Sequence, residues 1–364
     1  MTGPLEGIRV VEIGSLGPGP FAGMMFADHG AEVIRVERED PMQDLMGPLL
    51  RSRKSVALDL KCPDDIARLR DLCRTADGLI EGFRPGVMER LGLGPEILMA
   101  DNPKLVYGRM TGWGQDGPYA HLAGHDINYI ALSGVLGACA RAGEIPVPPM
   151  NLLGDFGGGG MLLAFAMVSA LLAVQRGQQG QVIDCAMTDG SALLMTMIWG
   201  LKAKGIWNGA AGTNLLDTGA PFYDVYETAD GGYISIGSLE PRFFAALCKI
   251  LKVYDDPDFC NQNDRQSWTA QKSKLTAIFK SGTRDFWVDI FEGSDVCFAP
   301  VLTMEEALEH DHNRSRNCFI EVDGVTQPAP APRYSLTPCA FPTAPPSLGK
   351  DQSLLEEVNM ARRG

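Results

Sequence analysis

An imidazole and a carboxylate stand at comparable places in this chain. His125, in Gly124-His125-Asp126, precedes the helical pattern Ile127, Ile130, Leu132, Val135, Leu136. Asp155, in Gly154-Asp155-Phe156-Gly157, precedes a glycine run and then an apolar helix from Met161. Two such groups facing one carbon could remove a proton from one side and return it on the other. The chain holds only five histidines, so an imidazole at a helix start draws notice. Free N–H groups there, such as that of Asp126, could stabilise an oxyanion. The helix dipole would keep Asp155 ionised, as suits a base or a nucleophile. Each residue also has a bland reading: a structural histidine, and an N-cap aspartate with glycines for helix packing. Glu240, in Ser238-Leu239-Glu240-Pro241, follows a strand and starts a helix, where a capping acid is the default. Contact with His125 would orient the imidazole and raise its basicity. Spacing alone does not show that contact.

Cations gather where strands end. Arg38 follows the second strand, Arg51-Ser52-Arg53-Lys54 precedes the third, Lys61 ends it, and Arg84 and Arg90 follow the fourth. In a parallel sheet these positions share the edge where ligands bind. The pattern suggests an anionic ligand with more than one phosphate. For Arg51 to Lys54 a solvated charge run is an equal alternative. The turn Gly17-x-Gly19-x-x-Ala22, with Glu37 closing the next strand, imitates a dinucleotide fingerprint. Pro18 and Pro20 lack the N–H groups a pyrophosphate would need, so a tight strand-to-helix turn is preferred.

The surrounding elements read as α/β. Short apolar strands at Ile8–Ile13, Glu32–Val36, Val56–Leu60, Leu79-Ile80 and Leu105–Met110 alternate with helical patterns at about Pro20–His29 and Ile66–Arg74, which predicts a parallel, doubly wound sheet. Residues 125–205 turn helical and apolar around a strand at Gln181–Cys185. Tyr223–Thr228 and Tyr233–Ile236 flank Ala229-Asp230-Gly231-Gly232, a hairpin signal. Helical patterns at Arg242–Val253, Trp268–Lys280, Arg284–Glu292 and Met304–His310 follow. The expected division is a large domain over 1–205, a smaller α+β domain over 206–320 and a Pro-rich C-terminal return segment over 321–364 joining the large domain. Met161–Val174, the most apolar stretch, is 14 residues long and suits a core helix better than a bilayer span.

A net charge of −13 and a pI near 4.9 argue against nucleic acid as a partner. Nine scattered cysteines, with no C-x-x-C pair, point to reduced thiols in a cytoplasmic protein without a zinc site. Cys297 is read as a buried structural thiol. No signal peptide precedes the first strand, and the C-terminal Met-Ala-Arg-Arg-Gly carries no peroxisomal tripeptide. No membrane association is expected.

Together these residues resemble the family III CoA-transferase superfamily and, within it, the α-methylacyl-CoA racemases. The resemblance covers nearly the whole chain. It is carried by Pro4-Leu5-Glu6-Gly7-Ile8-Arg9-Val10-Val11-Glu12, Gly30-Ala31-Glu32-Val33-Ile34-Arg35-Val36-Glu37, Arg84-Pro85-Gly86 with Arg90-Leu91-Gly92-Leu93-Gly94, and Thr111-Gly112-Trp113-Gly114-Gln115-Asp116-Gly117-Pro118. Gly124-His125-Asp126-Ile127-Asn128-Tyr129, Gly154-Asp155-Phe156-Gly157-Gly158-Gly159 and Glu240-Pro241 mark the racemase branch. The resemblance implies a Rossmann-like large domain, a small domain and an interlocked homodimer. It places the active site between the large domain of one subunit and the small domain of the other. Arg38, Arg84 and Arg90 would bind the CoA phosphates or adenosine, with backbone contacts around Ala57, Leu58 and Lys61 and an N–H from Asp126. His125 with Glu240 would be one acid/base and Asp155 the other. CoA would arrive as part of the substrate, with no separate cofactor and no metal. In the transferase alternative Asp155 would be a nucleophile forming an aspartyl-CoA thioester.

Overall fold

A computed structural model describes residues 3–38 and 46–361. The last three residues of the chain, part of the C-terminal stretch Met-Ala-Arg-Arg-Gly, lie outside them. The described chain divides into two compact units. One comprises residues 1–134, 149–195 and 317–364, the other 135–148 and 196–316. The expected boundary at 205 thus falls at 195, and an insertion at 135–148 joins the second unit. That insertion is tied there by Arg141, whose Nη2 donates to Asp224 Oδ1 at 2.9 Å.

The first unit is built on a six-stranded parallel sheet in the order β3-β2-β1-β4-β5-β6. The strands are β1 Arg9–Ile13, β2 Glu32–Glu37, β3 Lys54–Ala57, β4 Gly78–Glu81, β5 Val106–Thr111 and β6 Val182–Ala186. Neighbouring residues on one strand serve opposite faces. Val11, Ile34 and Leu79 join one core with Leu69 and Leu72 of the Pro63–Arg74 helix. Val10, Val33 and Ile80 join the other with Phe26, Leu163 and Met167. Near-continuous apolar strands covered on both faces are what a parallel sheet requires. The order reverses between β1 and β4, so the loops after those strands diverge and leave a crevice.

The Pro18–Asp28 helix starts at Gly17, whose φ of 68° opens the turn, and Pro18 occupies its first position. A wide, π-type helical run, Leu152–Met161, continues directly into the Leu162–Gln175 helix. Asp155 therefore lies inside a helical run, not before one as expected. The glycine run serves packing. A Cβ at Gly158 would stand 2.6 Å from the Ser191 N, and one at Gly160 2.7 Å from the Pro18 carbonyl oxygen. At 24 residues the combined run is long and apolar enough to cross a bilayer, which corrects the 14-residue reading. Its covered face rests on the sheet, where Met167 fills the space left by Gly78 of β4 and Gly108 of β5, as a core helix does.

The second unit carries an antiparallel sheet, β7 Tyr223–Glu227, β8 Tyr233–Gly237 and β9 Phe298–Val301. Helices Pro241–Ile250, Trp268–Phe279 and Arg284–Phe291 cover it around Phe222, Leu247, Phe279 and Trp287. Cys297, just before β9, is exposed and has a φ of 55°, against the expectation of a buried thiol. In the first unit, residues 319–328 form a further hairpin, β10 Phe319–Val322 and β11 Val325–Pro328, where only a Pro-rich return segment was expected. The segment after it runs along β3, and Leu355 of the last helix enters the first core.

Candidate active site

Two cavities open at the carboxyl edge of the parallel sheet, where β1 and β4 part. The first, about 400 Å³, is lined by the ends of β1 and β2 and by residues following β1, β2, β3 and β4, among them Glu37, Arg38, Leu58, Lys61 and Phe83. An outer recess adds Ala57 and Leu348. The second, about 450 Å³, is lined by Arg84, Trp113, Gly124, His125, Tyr129 and Asp155, with others. Ser15, Leu16 and Phe83 line both. The Ser15 Oγ is buried and without a hydrogen-bond partner, as is the Trp113 Nε1 in the second cavity. Neither had been singled out as a site residue from the sequence.

The sheet thus brings Arg38, Leu58 and Lys61 together, and Arg84, His125 and Asp155 together, in adjoining spaces. Arg90 lies on the short Val87–Arg90 helix, with its guanidinium folded towards Gly86. Arg51 and Arg53 are a correction. Both are buried, which removes them from any ligand. Arg51 donates to Asp28 and to the Gln327 side chain at 2.9 Å, and Arg53 donates to Glu12 at 3.1 Å and to the Pro20 carbonyl at 2.6 Å. Lys54 pairs with Glu32. Guanidinium groups at this depth survive because every face meets an acceptor.

The backbone at Ala57–Lys61 is more engaged than expected. The N–H groups of Ala57, Leu58, Asp59 and Lys61 donate to Gln352, Glu37, Asp65 and Asp59 respectively. This segment offers a ligand the Lys61 ammonium and carbonyl oxygens, not these donors.

His125 is the exposed N-cap of the Asp126–Leu132 helix, in extended conformation, and its N–H donates to Asn128 Oδ1 at 3.0 Å. Behind it the Tyr129 hydroxyl donates to the Gly124 carbonyl. The Trp113 ring stands edge-on to Tyr129 with centroids 4.7 Å apart. These two aromatic rings brace the loop that presents the imidazole. Burial pushes the Tyr129 phenol up to about 12, with the Asp155 charge adding to it, so it stays a donor.

Asp155 is half-buried. Its N–H donates to Asp126 Oδ1 at 2.7 Å, and its Oδ2 accepts from Asn151 Nδ2 at 3.0 Å. Burial raises the proton affinity of Asp155, and the Asp126 charge adds to this, against the opposing pull of Asn151 and His125. The dipole-stabilised, low-affinity carboxylate expected from the sequence is therefore not what the fold makes. Desolvation dominates at this depth.

Glu240 stands in the second unit as the exposed N-cap of the Pro241–Ile250 helix. Its approach is fixed from behind. Gln262 Nε2 donates to the Ser238 and Leu239 carbonyls at 2.9 Å each, and Ser238 Oγ donates to the Val296 carbonyl at 2.6 Å. Gln262 gave no signal in the sequence, because its two acceptors are carbonyls about 23 residues away.

A doubly wound parallel sheet with a split crevice at its switch point, holding a histidine and a carboxylate beside a cation-lined recess, defines an α/β protein equipped for acid–base or acyl chemistry on an anionic ligand. The chain belongs to CoA-transferase family III, whose profile matches residues 5–352. It is 48% identical to an α-methylacyl-CoA racemase of Mus musculus over 95% of this chain and 91% of that one. The racemase of the same name from Homo sapiens is 45% identical, over 98% of this chain and 94% of that one. Among solved structures, Rv3272 of Mycobacterium tuberculosis superposes with a TM-score of 0.83 at 28% identity, over 97% of this chain and 99% of that one.

Proposed function

We propose that the protein is an α-methylacyl-CoA racemase, an isomerase that inverts the 2-methyl stereocentre of acyl-CoA thioesters. The observation that carries this reading is the presence of His125 and Asp155 on the walls of one cavity, with Arg84 also among its lining. A thioester acidifies its α-hydrogen. One of the two residues removes that proton, a planar enolate forms, and the other protonates the opposite face. A positioned acid or base is typically worth ~10²–10⁴-fold in rate. First-turn N–H groups of the Asp126–Leu132 helix, that of Asp126 among them, would stabilise the enolate oxygen. The nucleotide end of CoA would lie in the recess bounded by Arg38, Leu58 and Lys61, with Arg84 and Arg90 towards the phosphates. CoA enters as part of the substrate, and the proton transfers call for no metal or redox group.

The reading extends to a cytoplasmic, interlocked homodimer. Met161, Phe165, Val168 and Leu172 fall on one face of the long helical run and are exposed. We assign that stripe to a second copy of the chain and not to lipid. Glu240 of the partner subunit would then orient His125.

The test is incubation with a single-enantiomer 2-methylacyl-CoA in D2O, following the α-position by NMR, beside His125→Ala and Asp155→Ala. Deuterium uptake with racemisation, reduced at least ~10²-fold in each variant, is the expected result. No uptake over several acyl chains, with CoA exchange into a free acid that depends on Asp155 alone, would make the protein a transferase.

A further inference from the structure

Asp126 does more than follow the catalytic histidine. The residue is 6% exposed, and its two carboxylate oxygens are unequally treated. Oδ1 accepts the Asp155 N–H at 2.7 Å. Oδ2 is buried and has no hydrogen-bond partner. A buried carboxylate oxygen left unpaired opposes folding by more than a typical hydrogen bond contributes. Such groups in native proteins call for a reason beyond stability. The neighbouring sequence is shaped to admit this side chain, since a Cβ at Gly154 would run into Asp126 Oδ1 and stand only 3.3 Å from the Asp126 Cα.

We propose that the Asp126 carboxylate is a positioning residue: it ties the Asp155 backbone to the helix that His125 begins, and it places a second negative charge beside the Asp155 carboxyl. The proposal rests on Asp155 acting as an acid/base. A racemase must run in both directions over a near-thermoneutral inversion, so its two bases work best with comparable proton affinities near the working pH. An unassisted aspartate holds its proton far less tightly than a histidine. Burial and the Asp126 charge both act to narrow that gap at Asp155. One carboxylate thus fixes the geometry of the pair and adjusts the weaker base.

The other charges around Asp155 do not supply this effect. His125 and the Asn151 amide lower its proton affinity. Tyr129 remains a neutral phenol. From the packed helices, Asp28 on Pro18–Asp28 is bound to Arg51, and Asp189 on Met187–Leu194 is pushed up by its own burial and by Asp184 and Asp116. Arg84 lines the same cavity, and a cation can only favour the ionised form of a carboxyl.

The experiment is a 13C NMR titration of the full-length protein labelled at aspartate carboxyls, with Asp155 assigned through Asp155→Asn. Wild type is compared with Asp126→Asn, which keeps an oxygen for the Asp155 N–H and removes the charge. Asp126→Ser is the second variant should the asparagine form fold poorly. The expected result is a lower titration midpoint for Asp155 in the variant, with the acidic limb of α-deuterium exchange moving the same way. A folded variant whose Asp155 midpoint and exchange profile stay in place, with only thermal stability reduced, would overturn the proposal. The titration does not need turnover. A wild type that exchanges no α-proton would therefore sink the racemase reading while the midpoint still tests the role of Asp126.

Discussion

Gly154 has no room for a methyl group, and the atom in the way belongs to Asp126. Gly154→Ala is therefore expected to push Asp126 away from the Asp155 N–H. Overpacking of this kind costs about 1–3 kcal/mol, readable in urea melts, and the α-exchange rate should fall with it because the hydrogen bond that positions Asp155 is lost. Unchanged stability and exchange in Gly154→Ala would show that Asp126 moves freely. The same residue-level reasoning explains why the cationic run at Arg51 to Lys54 misled. From sequence alone, two arginines beside a ligand edge and two arginines inside a core look identical. The difference lies in Asp28, Glu12 and Gln327, whose acceptors reach them from 23, 41 and 276 residues away. His125 and Asp155, by contrast, were singled out from the sequence and line one cavity, although only His125 begins a helix and Asp155 lies within one. The raised proton affinity of Asp155 was not legible, because its burial depends on packing and no local pattern encodes it.

At the scale of elements, β1, β2, β4 and β5 were legible because a doubly covered parallel strand is a short apolar run with sharp ends. The run at Leu152–Met161 was not, since consecutive glycines carry the lowest helix propensity after proline, and here close packing overrides it. The β10–β11 hairpin was hidden by the prolines that follow, although Asp323-Gly324, with φ of 52° and 76°, is a turn pair that favours hairpins. One element also carries a pH response. Glu81 ends β4 beneath the Arg84–Arg90 segment, and accepts from the Phe83 N–H at 2.7 Å and from Arg109 Nε at 3.1 Å. Arg109 in turn holds Glu89 on the Val87–Arg90 helix at 2.9 Å. Burial pushes the Glu81 carboxyl from its ordinary 4.5 up to about 7. A folded-state affinity above the unfolded one means that this contribution to stability is present below 4.5 and is lost as pH rises through about 7. Glu81→Gln should remove that slope. Relative to the variant, the wild type is expected to lose on the order of 3 kcal/mol between pH 4.5 and 7, measured as the difference between their thermal melts. Parallel pH dependences of the two proteins would show that Glu81 does not titrate there.

Over the whole molecule, the unbalanced feature is an apolar stripe on an acidic chain. A net charge of −13 keeps copies apart at long range, yet Phe165 is 71% exposed in line with Met161, Val168 and Leu172. Large exposed apolar patches of this kind mark interaction surfaces. The helix that carries the stripe also carries Asp155, so an interface here would fix one base directly. If a partner subunit also supplies the Glu240 that orients His125, assembly and catalysis are coupled. If the proposed dimer forms through this stripe, Phe165→Glu is expected to convert the protein from twice its 39.3-kDa chain mass to a single chain in sedimentation velocity. It should also depress α-exchange, although Phe165 itself would touch no reacting atom. Activity regained at high protein concentration, in step with the dimer fraction, would tie the loss to assembly. A monomeric wild type with full activity would instead leave the stripe for some other partner and place the whole acid–base machinery in one chain.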